Sequence, residues 1–130
     1  MEIDPEALTA LLTPVESFEA IDALPLDTVG VLASRLNDAG LTRLAARVPG
    51  LRYLVTDGSA RVTDAGLLAL GGLLELEMLD LEYAPVTDIG LQAIVGHPKL
   101  AWVDLGGTGV TTAGVAYLRE RRPDMEIEGW

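Results

Sequence analysis

A short motif that recurs along the chain constrains its architecture more than any other feature. It reads Val-Thr-Asp-x-Gly-Leu at Val62 and at Val86, and it returns with two changes at Val110, with a spacing of 24 residues each time. An earlier version, Leu-Asn-Asp-Ala-Gly-Leu, begins at Leu36, 26 residues before the Val62 copy. Repetition at a period of about 20–50 residues is typical of solenoids, whose units stack on one another. The chain is therefore predicted to fold as a stack of small units.

A second pattern precedes the motif and predicts a strand in each unit. In the third unit, apolar residues stand at offsets 0, 3, 5, 8 and 10: Leu76, Leu79, Leu81, Ala84 and Val86. The fourth unit repeats these offsets from Leu100, and we assign them to the first unit from Leu26. Alternation at offsets 3 and 5 indicates a short strand with one buried face. The Thr-Asp or Asn-Asp pair that follows offers a side-chain oxygen that can cap a helix.

Four units and a closing strand account for most of the chain. The units lie near residues 26–50, 51–75, 76–99 and 100–124, and the closing strand is Met125–Glu128. We predict strands near 29–31, 54–56, 79–81 and 103–105, and helices that begin near 38, 64, 88 and 112. One unit cannot bury its own apolar side, so the units must stack. The predicted fold is α/β: a short solenoid with a parallel β-sheet on its concave side and α-helices on its convex side.

The pattern resembles the leucine-rich repeats of the ribonuclease-inhibitor-like, helix-bearing class, in the bacterial form that carries Val-Thr-Asp-x-Gly-Leu. The resemblance covers about residues 26–128. It implies a leucine-rich-repeat domain of about four repeats over residues 26–130. That fold presents many unrelated binding surfaces. The resemblance therefore implies a role in binding another macromolecule and leaves the partner open.

The first 25 residues do not follow the repeat, and we predict that they form a helical cap over the first unit. Pro5 suits the first position of a helix. Thr13–Glu16 matches a capping box that opens a second helix, and Pro25 would end it. Its buried stripe would consist of Val15, Phe18, Ile21 and Leu24. The alternative is an arm that docks onto a partner.

Composition narrows the classes of partner. The chain has 9 basic and 20 acidic residues, a net charge of −11, and no cysteine. Such a surface repels nucleic acid, because phosphate binding needs Lys and Arg, whereas it attracts a basic protein. No apolar run reaches the roughly 20 residues that span a bilayer, and the acidic start lacks the features of a signal peptide. We expect a cytoplasmic protein with no membrane partner; the alternative for the acidity is solubility alone.

The concave side of the predicted sheet carries the candidate binding residues. Side chains at offsets 2, 4 and 6 point away from the core. Offset 2 gives Thr28, Tyr53, Met78 and Trp102, offsets 4 and 6 add Asp80, Asp104, Asp57 and Glu82, and Tyr83 follows at offset 7. Tyr, Trp and Met are enriched at protein interfaces, so we expect the three large residues to lie side by side and solvent-accessible. The alternative is that large side chains simply favour strands and that acids deter aggregation.

The candidates for catalysis or metal binding are weak. His97 is the only histidine, and no nucleophile and base accompany it. The glycine-rich run 106–109 lacks the lysine of a phosphate-binding loop. The carboxylates at 57, 80, 82 and 104 match no known calcium-loop spacing. Asp80 and Asp104 would stand on an open sheet, where their pKa values should stay ordinary. We predict no catalytic residue, no metal site, no cofactor and no enzymatic activity.

The sequence as a whole predicts a non-catalytic interaction module that binds a basic protein through its concave strand face. Charge and the analogy with inhibitors of this fold extend the prediction to an inhibitor or immunity-type antagonist. The alternative is a scaffold protein that self-associates through the ends of its solenoid. We expect a monomer or a weak homodimer.

Overall fold

The repeating units form one parallel sheet in a computed structural model that describes residues 4–58 and 61–130. The strands are β1 Thr13–Val15, β2 Gly30–Ala33, β3 Tyr53–Thr56, β4 Met78–Asp80, β5 Trp102–Asp104 and β6 Glu126–Glu128. They pair in chain order, and every pairing is parallel. Each unit thus adds one strand to the growing edge, which confirms the predicted α/β solenoid with a leucine-rich-repeat-type fold. The residues 1–3, on which the prediction about a signal peptide partly rests, lie outside the described ranges.

Helices return the chain from one strand to the next. The α-helices are α1 Pro5–Leu11, α2 Phe18–Asp22, α3 Asp38–Arg47, α4 Asp64–Ala69, α5 Leu91–Val95 and α6 Thr112–Arg121. Short 3₁₀ turns at Leu70–Gly72 and Asp88–Gly90 extend α4 and precede α5. Three predicted helix starts coincide with those of α3, α4 and α6, whereas the start predicted near 88 is that of a 3₁₀ turn, and α5 begins at Leu91. Within the described residues, no helix has the length and apolar character needed to cross a membrane.

The core lies between the sheet and the helices of the repeats. Leucine and valine at the inward strand offsets, including Leu54, Leu79 and Val103, are fully buried. They meet the inward side of the helices, where Leu44, Leu67 and Leu91 are equally buried. Burial of apolar area on this scale is the dominant favourable contribution to folding. The strand and helix periods read from the sequence therefore identify the two layers of the core.

The Thr-Asp pair of the motif links each repeat to the next. The threonine caps its own helix, as Thr111 does by accepting a hydrogen bond from the Gly114 N–H at 3.1 Å. The same threonine donates from its backbone and hydroxyl to the aspartate of the preceding repeat: Thr111 reaches Asp88 at 2.8 and 2.6 Å. Thr87 binds Asp64 in the same way. The repeats are thus joined by a ladder of side-chain hydrogen bonds on the outer side of the sheet.

The glycine of the motif makes room for this ladder. A Cβ atom at Gly66 would lie 2.2 Å from the Asp38 carboxylate oxygen, and one at Gly114 would lie 2.1 Å from that of Asp88. Both distances are shorter than any contact between non-bonded atoms, so only glycine fits. The last copy has Thr112 where the others have aspartate.

The pairing of the first repeat corrects our register. The structure pairs Gly30 with Tyr53, so Gly30 occupies the position that we assigned to Thr28. Leu26, which the same alignment placed in the core, is 68% exposed. The cause is a shorter turn: six positions separate Gly30 from Leu36, whereas eight separate Met78 from Val86. The distance between strand and motif in the first repeat therefore differs from that in the later repeats, and the position of the first strand cannot be predicted from theirs.

The N-terminal segment is only partly the predicted cap. Residues 13–15 form β1 rather than a capping box, and the cap of α2 is Ser17, which accepts a hydrogen bond from the Ala20 N–H at 3.1 Å. Pro14 is tolerated because β1 is an edge strand with one side unpaired. Three residues of the predicted stripe are buried, but Phe18 is exposed. β1 and α2 extend the solenoid by one unit, while α1 does not follow this pattern.

Candidate binding face

The large residues of the concave side form one row across the sheet. Tyr53 pairs with Met78, and Met78 pairs with Trp102, with Gly30 and Glu126 at the two ends of the row. Neighbouring strands lie about 5 Å apart, so these side chains are direct neighbours. This confirms the predicted side-by-side arrangement. The next row contains Val55, Asp80, Asp104 and Glu128.

The expected exposure of this row is wrong for its central residue. Met78 is only 3% exposed, and Tyr53 and Trp102 are half-buried. α1 lies opposite the concave side of the sheet. An open groove of about 900 Å³ separates it from the sheet, and both contribute to its lining: Pro5, Leu8 and Leu12 from the N-terminal segment, and Val55, Met78 and Trp102 from the strands. The sequence did not predict that a helix faces this side of the sheet.

Gly30 allows the end of α1 to approach the sheet. A Cβ atom at this position would lie 2.4 Å from the backbone oxygen of Leu11 and 3.1 Å from a methyl group of Leu12. A backbone oxygen cannot move aside as a flexible side chain can. The small residue at the first position of the row is therefore what lets the N-terminal segment dock.

Three of the four candidate carboxylates form an acidic cluster. Oxygen atoms of Asp80, Glu82 and Asp104 lie within 4.8 Å of one another, and all three residues are half-buried. Asp57 is not part of the cluster; its carboxylate accepts a hydrogen bond from the Ser34 hydroxyl at 2.6 Å. Asp80 also accepts from the Glu82 N–H at 2.9 Å, and Asp104 from the Gly106 N–H at 2.8 Å. Each aspartate thus holds the turn that follows its strand.

The electrostatics of Asp80 differ from our expectation of an ordinary pKa. Burial raises the pKa of Asp80 to about 6; the Glu82 N–H opposes this rise, and the negative charges of Asp104 and Glu82 add to it. The prediction assumed an open, wet sheet, whereas Asp80 lines the groove beneath α1. A half-buried carboxylate beside two others is costly to ionise.

Asp80→Asn is expected to stabilise the free protein at pH 7 by about 1 kcal/mol, a figure reduced from the full pKa shift because the site is partly solvated. The folded-state pKa is raised, so wild type loses stability as the pH rises from about 4 through 6, and the variant does not. Its advantage in thermal unfolding should therefore vanish near pH 4. Glu120→Gln on α6, which also replaces one carboxylate by an amide, is the matched control. An advantage that is equal at both pH values would contradict this assignment.

Tyr83 occupies a turn that the sequence did not identify. Its φ is 65°, in the left-handed region, and the residue is 64% exposed. Its ring lies between two glycines: a Cβ at Gly107 would be 2.3 Å from a ring carbon, and one at Gly58 would be 3.6 Å away. Gly107 has a φ of 68° one repeat later, at the equivalent position. The glycine-rich run 106–109 is therefore the copy of this turn in the next repeat. A glycine at position 107 favours a left-handed conformation, so it could have predicted the same conformation at Tyr83.

His97 lies in the core rather than on the concave face. It is 3% exposed, and burial lowers its pKa. Its backbone oxygen accepts a hydrogen bond from the Arg122 guanidinium at 2.7 Å, which also binds the oxygen of Leu100 at 2.8 Å. These contacts join the loops before β5 and β6. They indicate a structural position for the histidine.

Arg52 lies beside Tyr53 at the border of the row. Arg52 forms an ion pair with Glu77, and its guanidinium carbon lies 5.1 Å from the centre of the Tyr53 ring. Arg119 and Arg121 lie on α6, on the opposite side of the solenoid. The concave side therefore combines apolar and acidic side chains, and its nearest basic group is already paired.

The comparisons with known proteins find likenesses among solved structures alone. No protein-family model matches the chain, and no curated protein matches it. Among solved structures, the chain is similar to an internalin from Listeria monocytogenes, with 16% sequence identity and a TM-score of 0.46 over 78% of this chain. The likeness covers 33% of the internalin chain. This chain therefore spans about a third of the length of that structural neighbour.

Proposed function

We propose that the protein is a non-catalytic module that binds a basic protein partner through its concave strand face. The observation that carries this proposal is the in-register row of Tyr53, Met78 and Trp102 beside the acidic cluster. Aromatic residues and methionine are enriched in the centres of protein interfaces. The side chains stand on strands of a rigid stack, which favours a preorganised surface.

The charge of the face favours a cationic partner. The acidic cluster places three carboxylates close together, and the whole chain has a net charge of −11. A lysine or arginine from a partner would relieve the repulsion among these groups. Long-range attraction would also accelerate encounter. The combination of an apolar row with an acidic border matches a partner surface with apolar and basic side chains.

We further propose the finer assignments that the sequence pattern suggests. The motif favours the ribonuclease-inhibitor-like class in its bacterial form, and the acidity favours a cytoplasmic inhibitor or immunity-type antagonist of a basic partner. The proposed lack of catalysis is supported by the position of the one histidine in the core. Association through the solenoid ends is less favoured, because the exposed Glu128 on the edge strand β6 would be brought close to a like charge.

Trp102→Ala is expected to weaken binding of a labelled basic probe by about 2 kcal/mol, or roughly 30-fold in Kd, because central aromatic residues dominate interface energies. The probe is a 16-residue peptide of alternating lysine and leucine, measured by fluorescence anisotropy. A glutamate–leucine peptide of the same length should not bind. The matched control replaces Arg119 and Arg121 with alanine on the convex side. If that control abolishes binding while Trp102→Ala preserves it, the concave-face proposal is wrong.

A further inference from the structure

We propose that α1 is a displaceable strap, which occupies the concave face of the free protein and competes there with the basic partner. This inference rests on the proposed function, because it assigns regulation to the same face. The strap consists of residues 4–12, which include α1 and the Leu12 position that follows it. Its apolar side chains line the groove opposite the row, at the place where a partner would have to insert.

The strap faces the residue at the centre of the row. Met78 is less exposed than Tyr53 and Trp102 on either side. The groove that it lines is shared with Leu8 and Leu12 of the strap. A partner that filled this groove to contact Met78 would therefore displace the strap.

The strap is held weakly. None of the α1 residues is buried. Its side-chain hydrogen bonds are local: the Glu6 N–H donates to Asp4, and the Thr9 hydroxyl donates to the Pro5 oxygen. A helix of seven residues is also too short to be stable by itself.

Charge favours displacement by a cation. Asp4 of the strap lines the same groove as Asp80 and Glu128 of the sheet. The strap also carries Glu6, and it contains no lysine or arginine. Like charges therefore oppose each other across the groove. A basic partner would be attracted by the same carboxylates that repel the strap.

The chain offers a hinge for this movement. α1 ends at Leu11 and β1 begins at Thr13, so Leu12 connects them alone. β1 is fixed by its pairing with β2 and by the buried side chain of Val15. A change of backbone angles at Leu12 would swing α1 away while the sheet keeps its strands. Opening is thus compatible with an intact solenoid.

The first arm of the test measures strap opening in the full chain without a partner. Gly30→Ala should push the Leu11 backbone away, and Leu8→Glu should repel the strap from the acidic groove. Both should increase the rate of Met78 oxidation by hydrogen peroxide several-fold, as measured by peptide mass spectrometry, because oxidation follows exposure of the sulfur. Gly50→Ala, where an added Cβ meets nothing within 4 Å, and Ala7→Glu are the matched controls and should leave it unchanged. Oxidation of Met125, which is also buried, reports general unfolding of the protein.

The second arm measures competition with the lysine–leucine peptide. The chain has no cysteine, so Thr9→Cys with Val55→Cys provides a unique pair that a short bismaleimide can join. Joining should weaken peptide binding about tenfold or more, and the two opening variants should strengthen it, since apparent affinity scales with the fraction of open protein. The same two cysteines treated with a monofunctional maleimide carry similar bulk without the link. This doubly labelled form is the reference against which the loss on joining is measured.

The outcomes separate the two proposals. If Met78 oxidises equally in wild type and both opening variants, or if joined and unjoined proteins bind the peptide equally, the strap inference is overturned. When Trp102→Ala still weakens binding in that case, the concave face remains the proposed binding surface. If Trp102→Ala has no effect on binding in any form, the proposed function fails, and the strap inference fails with it.

Discussion

Replacing Leu79 with alanine is expected to lower the free energy of unfolding by about 2–5 kcal/mol, the range for leucines in closed cores. Leu79 is fully buried in β4, the third of the four repeat strands, and its strand is paired on both sides. In a solenoid each unit contacts only its neighbours. A cavity in an interior unit therefore weakens the interfaces on both sides. Urea unfolding followed by circular dichroism measures the change.

Leu68→Ala is the matched control for this substitution. Leu68 lies on α4 in the preceding repeat, and it is 71% exposed. The same side chain is removed, but no cavity forms, so the change should stay below about 0.5 kcal/mol. A loss at Leu79 as small as the loss at Leu68 would contradict the placement of the strand offsets in the core.

Gly66→Ala is expected to cost about 2–3 kcal/mol, since it breaks two hydrogen bonds to a charged group and forces a collision. The added Cβ would lie 2.2 Å from the Asp38 carboxylate that binds Thr63. The cost should fall by at least half in an Asp38→Ala background, where the collision is gone and alanine favours the helix. The double-mutant cycle on free energies of unfolding measures this coupling.

Gly40→Ala provides the internal comparison. Gly40 has the same place in the first copy of the motif. The atoms nearest to a Cβ at this position belong to the Leu36 side chain, at 3.3 Å, and not to the aspartate of a preceding repeat. Its substitution should cost less than half as much as that of Gly66. Equal costs at the two glycines, or no coupling between Gly66 and Asp38, would show that the ladder does not explain the motif.

The sequence predicted the repeating part of the fold because local patterns determine it there. Alternation fixes which strand residues face the core, and the Thr-Asp pair fixes where a helix starts. Prediction failed at Leu26, where the turn length departs from the later repeats and no motif residue marks the change. It also failed at Thr13, because a Thr-Pro-Val-Glu run satisfies a capping box and an edge strand equally well.

The candidate site was only half predictable for a different reason. The offsets correctly placed Tyr53, Met78 and Trp102 in one row, because pairing in register follows from the repeat. They could not show that α1 faces Met78 across a groove, since a seven-residue helix carries no pattern that specifies the surface it faces. They also could not show the burial that raises the pKa of Asp80. The direction of a strand side chain thus follows from local sequence. Which other segment lies opposite that side chain depends on the tertiary fold.

The role of the concave face as the binding surface is tested most directly by mapping the lysine–leucine peptide on isotope-labelled protein by nuclear magnetic resonance. Titration should shift the amide signals of Tyr53, Met78 and Trp102, and the side-chain indole signal of Trp102, before any others. Signals from α3 and α6 on the convex side should remain in place. Shifts confined to those two helices, with an unchanged Trp102 indole, would contradict the proposed function.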